Sequence, residues 1–163
     1  MDLDLSGKQR DDPVPGYARR LRPLGRICAV LAGVVVLFAI LSWVLVGRAL
    51  PGLPGSVPVA LSLLAAILIL LSSRFRSSVL RRAFPRSAAL AVNPDAVLVA
   101  YQRATLISFA VLETAALLGL LVTLTSGSAA YGIVLCAVSL FGMLTRWPRA
   151  SEVDRLVRGR ARP

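Results

Sequence analysis

The sequence predicts an all-α membrane protein: four transmembrane helices in two antiparallel hairpins, with the N- and C-termini cytoplasmic. Three observations predict it. Of 163 residues, 56% are hydrophobic and 17% charged, with a mean hydropathy of +0.74; an ordinary soluble domain has about a quarter of its residues charged. The charges avoid four apolar stretches, at 27–46, 57–73, 105–124 and 129–145. Eighteen of the nineteen basic residues fall in three segments separated by even numbers of those stretches. An even number of crossings returns all three segments to one face of a bilayer, and the preference for basic residues in cytoplasmic loops makes that face the inside. The same composition excludes a disordered chain, a disulfide-stapled secreted module and an ordinary cytosolic enzyme.

Residues 1–26 form a basic cytoplasmic tail with Lys8, Arg10, Arg19, Arg20, Arg22 and Arg26. The tail is too polar for a signal peptide. Cys28 precedes its apolar run, whereas a lipoprotein cleavage site would follow one, so span one is expected to remain as an uncleaved anchor. Span one, 27–46, covers ~30 Å at ~1.5 Å per residue, enough to cross the hydrocarbon core. Trp43 anchors its outer end at the interface. Pro51, Gly52, Pro54 and Gly55 make a short outer turn, and Ser56 reads as the N-cap of span two, with Pro58 in its first turn.

Span two, 57–73, is near the lower length limit for crossing, as is span four, 129–145. Between spans two and three lies a cytoplasmic segment, 74–104, carrying Arg74, Arg76, Arg81, Arg82, Arg86 and Arg103. Its first part, 74–86, mixes arginine with Phe75, Val79, Leu80 and Phe84, which suits a short helix lying in the headgroup layer. Asn93-Pro94-Asp95 then reads as N-cap, N1 proline and early acid. The third helix is therefore expected to start near Pro94 and to project ~15 Å below the membrane.

Thr125-Ser126-Gly127-Ser128 joins spans three and four so tightly that they should form an antiparallel hairpin. Trp147 and Pro148 close span four, the indole as an interfacial anchor and the proline as a stop. Residues 146–163 form a second basic tail, in which Glu152 and Asp154 read as solvated.

The net charge of +11 is read as lipid-facing. Basic residues flank spans because anionic lipid and the insertion machinery favour them there. No aromatic-interleaved basic patch points to nucleic acid. Cys28 and Cys136 differ in depth by ~10 Å, beyond the ~7 Å Cα limit for a disulfide. Without histidine they make no zinc site, so they read as small packing residues; no metal or cofactor is expected. There is no nucleophile with a nearby base, no phosphate-binding glycine loop and no carboxylate pair facing a pocket, so no catalytic residue is assigned and a non-enzymatic protein is expected.

Glu113 asks for an explanation. It lies ~12 Å into span three, and no Lys, Arg or His lies within any span. Carrying a charged carboxylate there is expensive, so such a group is a functional candidate. In its neutral form it could donate a hydrogen bond, with Ser139 on span four and Ser62 on span two as candidate acceptors. Stepping 100° per residue puts Ala104, Ser108, Ala115 and Gly119 on one stripe suited to close helix packing. Glu113 lies about 140° away. If the small stripe faces the bundle, the carboxyl faces lipid or another protein. Small residues near its depth on neighbouring spans, Ala65, Ala66, Ala137 and Ser139, would instead admit it inward. The partner-facing orientation is the one favoured.

Ala110-Val111-Leu112-Glu113, followed by Thr114-Ala115-Ala116-Leu117-Leu118-Gly119-Leu120, resembles the carboxyl-bearing helix of the proteolipid (subunit c) of rotary ATP synthases, and Gln102-Arg103 resembles its polar lead-in. The match covers about twenty residues. The resemblance implies that Glu113 is an ion-binding carboxyl. No other span carries the run of alternate small residues found on that family's partner helix. The whole chain resembles small four-span proteins of bacterial inner membranes.

Two functional readings follow. The first is a non-enzymatic inner-membrane protein acting through helix–helix association, as an accessory or assembly subunit of a membrane complex or as a homo-oligomer. The alternative is a proton- or ion-handling component using Glu113. Expected partners are the lipid bilayer, including anionic lipids, and another membrane protein or a second copy.

Overall fold

The computed structural model describes residues 15–46, 54–83 and 94–161. They form five α-helices: α1 Pro15–Val44, α2 Ser56–Ala83, α3 Pro94–Ser126, α4 Ala129–Thr145 and α5 Ala150–Ala161. α1, α2 and α3 are long and apolar enough to cross a membrane. α4 and α5, bent by 54° at their junction, make a fourth if the pair is one broken span.

The bundle has an apolar core and an apolar surface as well, unlike a soluble protein. Leu70, Trp43, Phe141 and Val30 are 67–73% exposed, while Ser42, Ser72, Thr105, Ser108, Thr123 and Ser139 are fully buried. Apolar side chains face outward, as they can on helices suited to a lipid surrounding, and these hydroxyls turn to the interior. Several of those hydroxyls are satisfied within their own helices: Thr105 Oγ1 donates to Tyr101 O at 2.9 Å and Thr123 Oγ1 to Gly119 O at 3.3 Å.

α1 is longer than its apolar span. It begins twelve residues before Ile27, inside the expected basic tail, and accommodates Pro23. Leu21, Leu24 and Cys28, spaced three and four apart, are buried, so this extension carries an apolar stripe of its own. α2 likewise corrects the expectation of a separate headgroup helix: it continues without a break to Ala83. Beyond Pro58 in its first turn, no proline or glycine interrupts it. Ser72, Ser73, Ser77 and Ser78 bond back to carbonyls three residues earlier, at 2.5–3.0 Å. The rest of that segment lies outside the described residues, as do the outer-turn residues Pro51 and Gly52 and the candidate cap Asn93.

α3 starts at Pro94, as its proline and following acid predict. At ~50 Å it is the axis of the fold, touching α1, α2, α4 and α5. α3 and α4 form the expected hairpin. Gly127 adopts φ 70°, and its N–H reaches Thr123 O at 2.8 Å, a left-handed helix end that glycine enters without a Cβ penalty. The first expected hairpin does not form. Among the described residues α1 and α2 share no contact, because α3 stands between them and each packs on a different side of it. α1 instead contacts α3, α4 and α5.

Glycines set the closest approach. A Cβ on Gly132 would collide with Thr123 Oγ1 and lie 2.7 Å from Gly119 O; one on Gly119 would lie 3.0 Å from Leu135 Cβ. α3 and α4 therefore meet backbone to backbone, with Ser42 of α1 beside the crossing. α5 was not anticipated. Its buried Val153 and half-buried Leu156 and Val157 dock the tail onto the bundle.

Candidate functional site

The small stripe of α3 is where the sequence places it. Ala104, Ser108, Ala115 and Gly119 are all buried, and Gly119 receives α4. Glu113 is half-buried. By the 100° rule it lies between the outward arc of Ala110, Thr114, Leu117 and Leu121 and the inward arc of Phe109, Leu112, Ala116 and Leu120. The carboxyl thus sits at the margin of the bundle, and no hydrogen bond or ion pair to it is present among the described residues.

The expected acceptors do not meet it. Ser62 Oγ donates to Pro58 O of its own helix at 2.8 Å, the back-bond by which a serine in an apolar helix satisfies itself. Ser139 lies on the buried stripe of α4 with Gly132, Cys136 and Met143, and its hydroxyl has no partner among the described residues. Cys28 and Cys136 are free and buried. Trp43 is 70% exposed at the end of α1. Trp147, half-buried at the end of α4, meets Phe109 edge-on, with ring centroids 6.4 Å apart. The residues placed near one another at the other end of the bundle leave an apolar recess of about 370 Å³ between α2 and the α3/α4 hairpin, lined by Pro58, Ser62, Leu63, Val122 and Tyr131.

A second polar site was missed by sequence reasoning. At the arginine-rich end, Arg76 Nη2 of α2 donates to both carboxylate oxygens of Glu152 at 2.8 and 2.9 Å. Tyr101 Oη of α3 donates to the same carboxylate at 2.8 Å and accepts the Arg149 N–H at 3.2 Å. The Arg76 guanidinium lies 5.6 Å from the centre of the Tyr101 ring, within cation–π range. Beside this knot, Arg146 Nη1 donates to Ser72 Oγ at 2.6 Å and Ser108 Oγ at 2.9 Å, tying the end of α4 to α2 and α3.

These contacts overturn the reading of Glu152 and Asp154 as a solvated tail. Glu152 is half-buried and paired, and Asp154 is 8% exposed. Asp95 opens α3 as expected and also pairs with Arg20 of α1. Burial, reinforced by the neighbouring Glu152 carboxylate, pushes the Tyr101 hydroxyl up to about 12 despite the Arg149 hydrogen bond and the Arg76 charge. Burial and the nearby Arg76 charge make Arg146 a weaker base than usual. The sequence signal for this site was the spacing Val153, Leu156, Val157 after Pro148, a short amphipathic helix that turns Glu152 back toward the bundle.

Among the described residues no group of three or more His, Cys, Asp or Glu is placed to hold a metal ion. The chain matches no family model, no curated protein and no solved structure.

Proposed function

We propose that the chain is a bacterial inner-membrane protein crossing the bilayer four times, with both termini cytoplasmic. It acts by helix–helix association, as an accessory or assembly subunit of a larger complex or as a homo-oligomer, and carries no catalytic group. Supporting the topology are the eighteen basic residues, seventeen arginines and Lys8, in segments separated by even numbers of apolar stretches and the outward apolar faces of α1, α2 and α4.

The observation that carries the association reading is Glu113: a carboxyl at the bundle margin, deep in an apolar helix, with no partner among the described residues. A charged residue at that depth costs on the order of 3 kcal/mol, and a second polypeptide seated on that margin supplies the hydrogen bond that offsets it. The test is recovery of epitope-tagged protein from membranes in mild detergent. A defined complex that Glu113→Gln weakens supports the reading; migration as a bare monomer with no co-purifying protein removes it.

The same observation favours a second reading. A carboxyl free of internal hydrogen bonds is available to a transported proton or cation, as its resemblance to the subunit c helix implies. Selective carbodiimide labelling of Glu113 and loss of proton flux in Glu113→Gln support that role. Wild-type flux in the variant ends it.

A further inference from the structure

We propose that Arg146, with the Arg76 charge beside it, binds the phosphate group of an anionic lipid where α2 and α4 approach each other at the arginine-rich end of the bundle. Three features carry this assignment, the first being charge. Ser72 and Arg76 are one turn apart on α2, ~6 Å along the helix, and Arg146 reaches Ser72 at 2.6 Å. Arg146 and Arg76 are therefore near neighbours, and Glu152 is the carboxylate that Arg76 pairs with there. Asp154, on the same helix as Glu152, lies about 200° round it. The local balance is basic in a half-buried place.

Next comes hydrogen-bonding capacity. A guanidinium carries five N–H donors. Arg146 turns Nη1 inward to two serine hydroxyls, while its Nε and Nη2 have no partner among the described residues. The Nε of Arg76 also lacks one but is buried, so the donors open to a ligand are those of the half-buried Arg146. Donors outnumber acceptors, and a phosphate oxygen pair is the acceptor that matches a guanidinium fork.

Position decides between a lipid and a free ion. The cluster sits where the apolar stretches of α2 and α4 end, and Leu71, Phe75 and Leu144 expose apolar surface there. A headgroup phosphate at Arg146 would have its acyl chains beside these residues, and basic pockets between spans at this depth are suited to anionic headgroups. The site needs the membrane placement proposed above but neither functional reading of Glu113, and binding measured in detergent does not depend on which end is cytoplasmic.

The experiment uses native mass spectrometry of the full chain released from a non-ionic detergent holding equimolar dioleoylphosphatidylglycerol and dioleoylphosphatidylcholine, with and without inorganic phosphate. The chain is expected to retain phosphatidylglycerol in preference to phosphatidylcholine. Arg146→Gln should weaken that retention about fivefold, and Arg103→Gln, exposed on another face of α3, should not change it. If Arg146→Gln misfolds, the lipid preference of the unsubstituted chain decides. Equal retention of the two lipids by that chain, unchanged selectivity in a folded Arg146→Gln, or retention of phosphate alone in place of lipid would each overturn the assignment.

Discussion

Replacing Glu152 by glutamine keeps the side chain's size and one acceptor oxygen but removes the charge shared by Arg76 and Tyr101. In the native chain both carboxylate oxygens accept from Arg76, at 2.8 and 2.9 Å, and one also accepts from Tyr101 at 2.8 Å. The Arg76 and Glu152 side chains are 16% and 39% exposed. That places the pair between solvated ion pairs, worth about 0–1 kcal/mol, and buried ones, whose disruption costs about 3–5 kcal/mol. A loss of about 2 kcal/mol is therefore expected.

Glu152 lies in the first turn of α5, the shortest helix, which otherwise rests on α1 and α3. The loss should appear first as local opening of α5, not as unfolding of the bundle. Two kcal/mol corresponds to a roughly thirtyfold larger open population. Hydrogen exchange of peptides covering α5, read by mass spectrometry, should speed up by about that factor in Glu152→Gln. Arg20→Gln breaks a pair whose side chains are 57% and 65% exposed and should accelerate exchange less than about fivefold. Unchanged exchange in Glu152→Gln, or equal acceleration in Arg20→Gln, would refute the argument that α5 is held by this ion pair.

Three further outcomes are expected. Gly132→Ala forces a methyl group against Thr123 Oγ1 and the Gly119 carbonyl; because a backbone oxygen cannot rotate away, α3 and α4 must separate, at a cost of about 1–3 kcal/mol. Thermal unfolding in detergent should show that loss, whereas Gly33→Ala, with nothing within 4 Å of the added carbon, should be near neutral. Tyr101 titrates at about 12 when folded, above its usual 10.0. Between those values the folded state holds the extra proton, so stability is intact below pH 10 and falls as pH rises toward 12, by on the order of 2 kcal/mol. Tyr101→Phe should lose about 1 kcal/mol at neutral pH with its hydrogen bond and lack that alkaline decline, which denaturation across pH 8–12 would reveal. Glu113→Gln should leave the chain's own thermal stability within about 0.5 kcal/mol, since no internal bond is lost; a large drop would mean the carboxyl is bound inside the bundle.

Local chemistry was legible in the sequence. Pro94 and Asp95 open α3, Gly127 turns the chain into α4, and the stripe through Ala104, Ser108, Ala115 and Gly119 is buried. Each depends on neighbours within a turn or two, where periodicity and backbone chemistry speak directly. What depends on partners far along the chain was not legible. Arg76 and Glu152 are 76 residues apart, and each alone reads as a solvated charge near the membrane. Arg146 likewise reads as one of many flanking arginines until α2 and α3 present Ser72 and Ser108 to it. The pairing of spans failed for a related reason. A short turn such as 125–128 enforces contact between its helices, but the connection from α1 to α2 leaves room for each to choose α3 over the other.

The placement of Glu113 shows both sides. Its half-exposed position at the bundle margin follows from the small stripe on the opposite side of α3, as the 100° geometry anticipates. Its expected hydrogen bonds did not follow: Ser62 bonds to the Pro58 carbonyl of its own helix, and Ser139 lies on the buried stripe of α4 with its hydroxyl unpaired among the described residues.

Most of this account rests on where the arginines lie relative to lipid. Fusing a reporter that is active only in the cytoplasm, and separately one active only in the periplasm, to each chain end and to the connection at residue 52 measures this directly. Cytoplasmic activity at both termini and periplasmic activity at residue 52 is the expected result; a periplasmic signal from either terminus would contradict it.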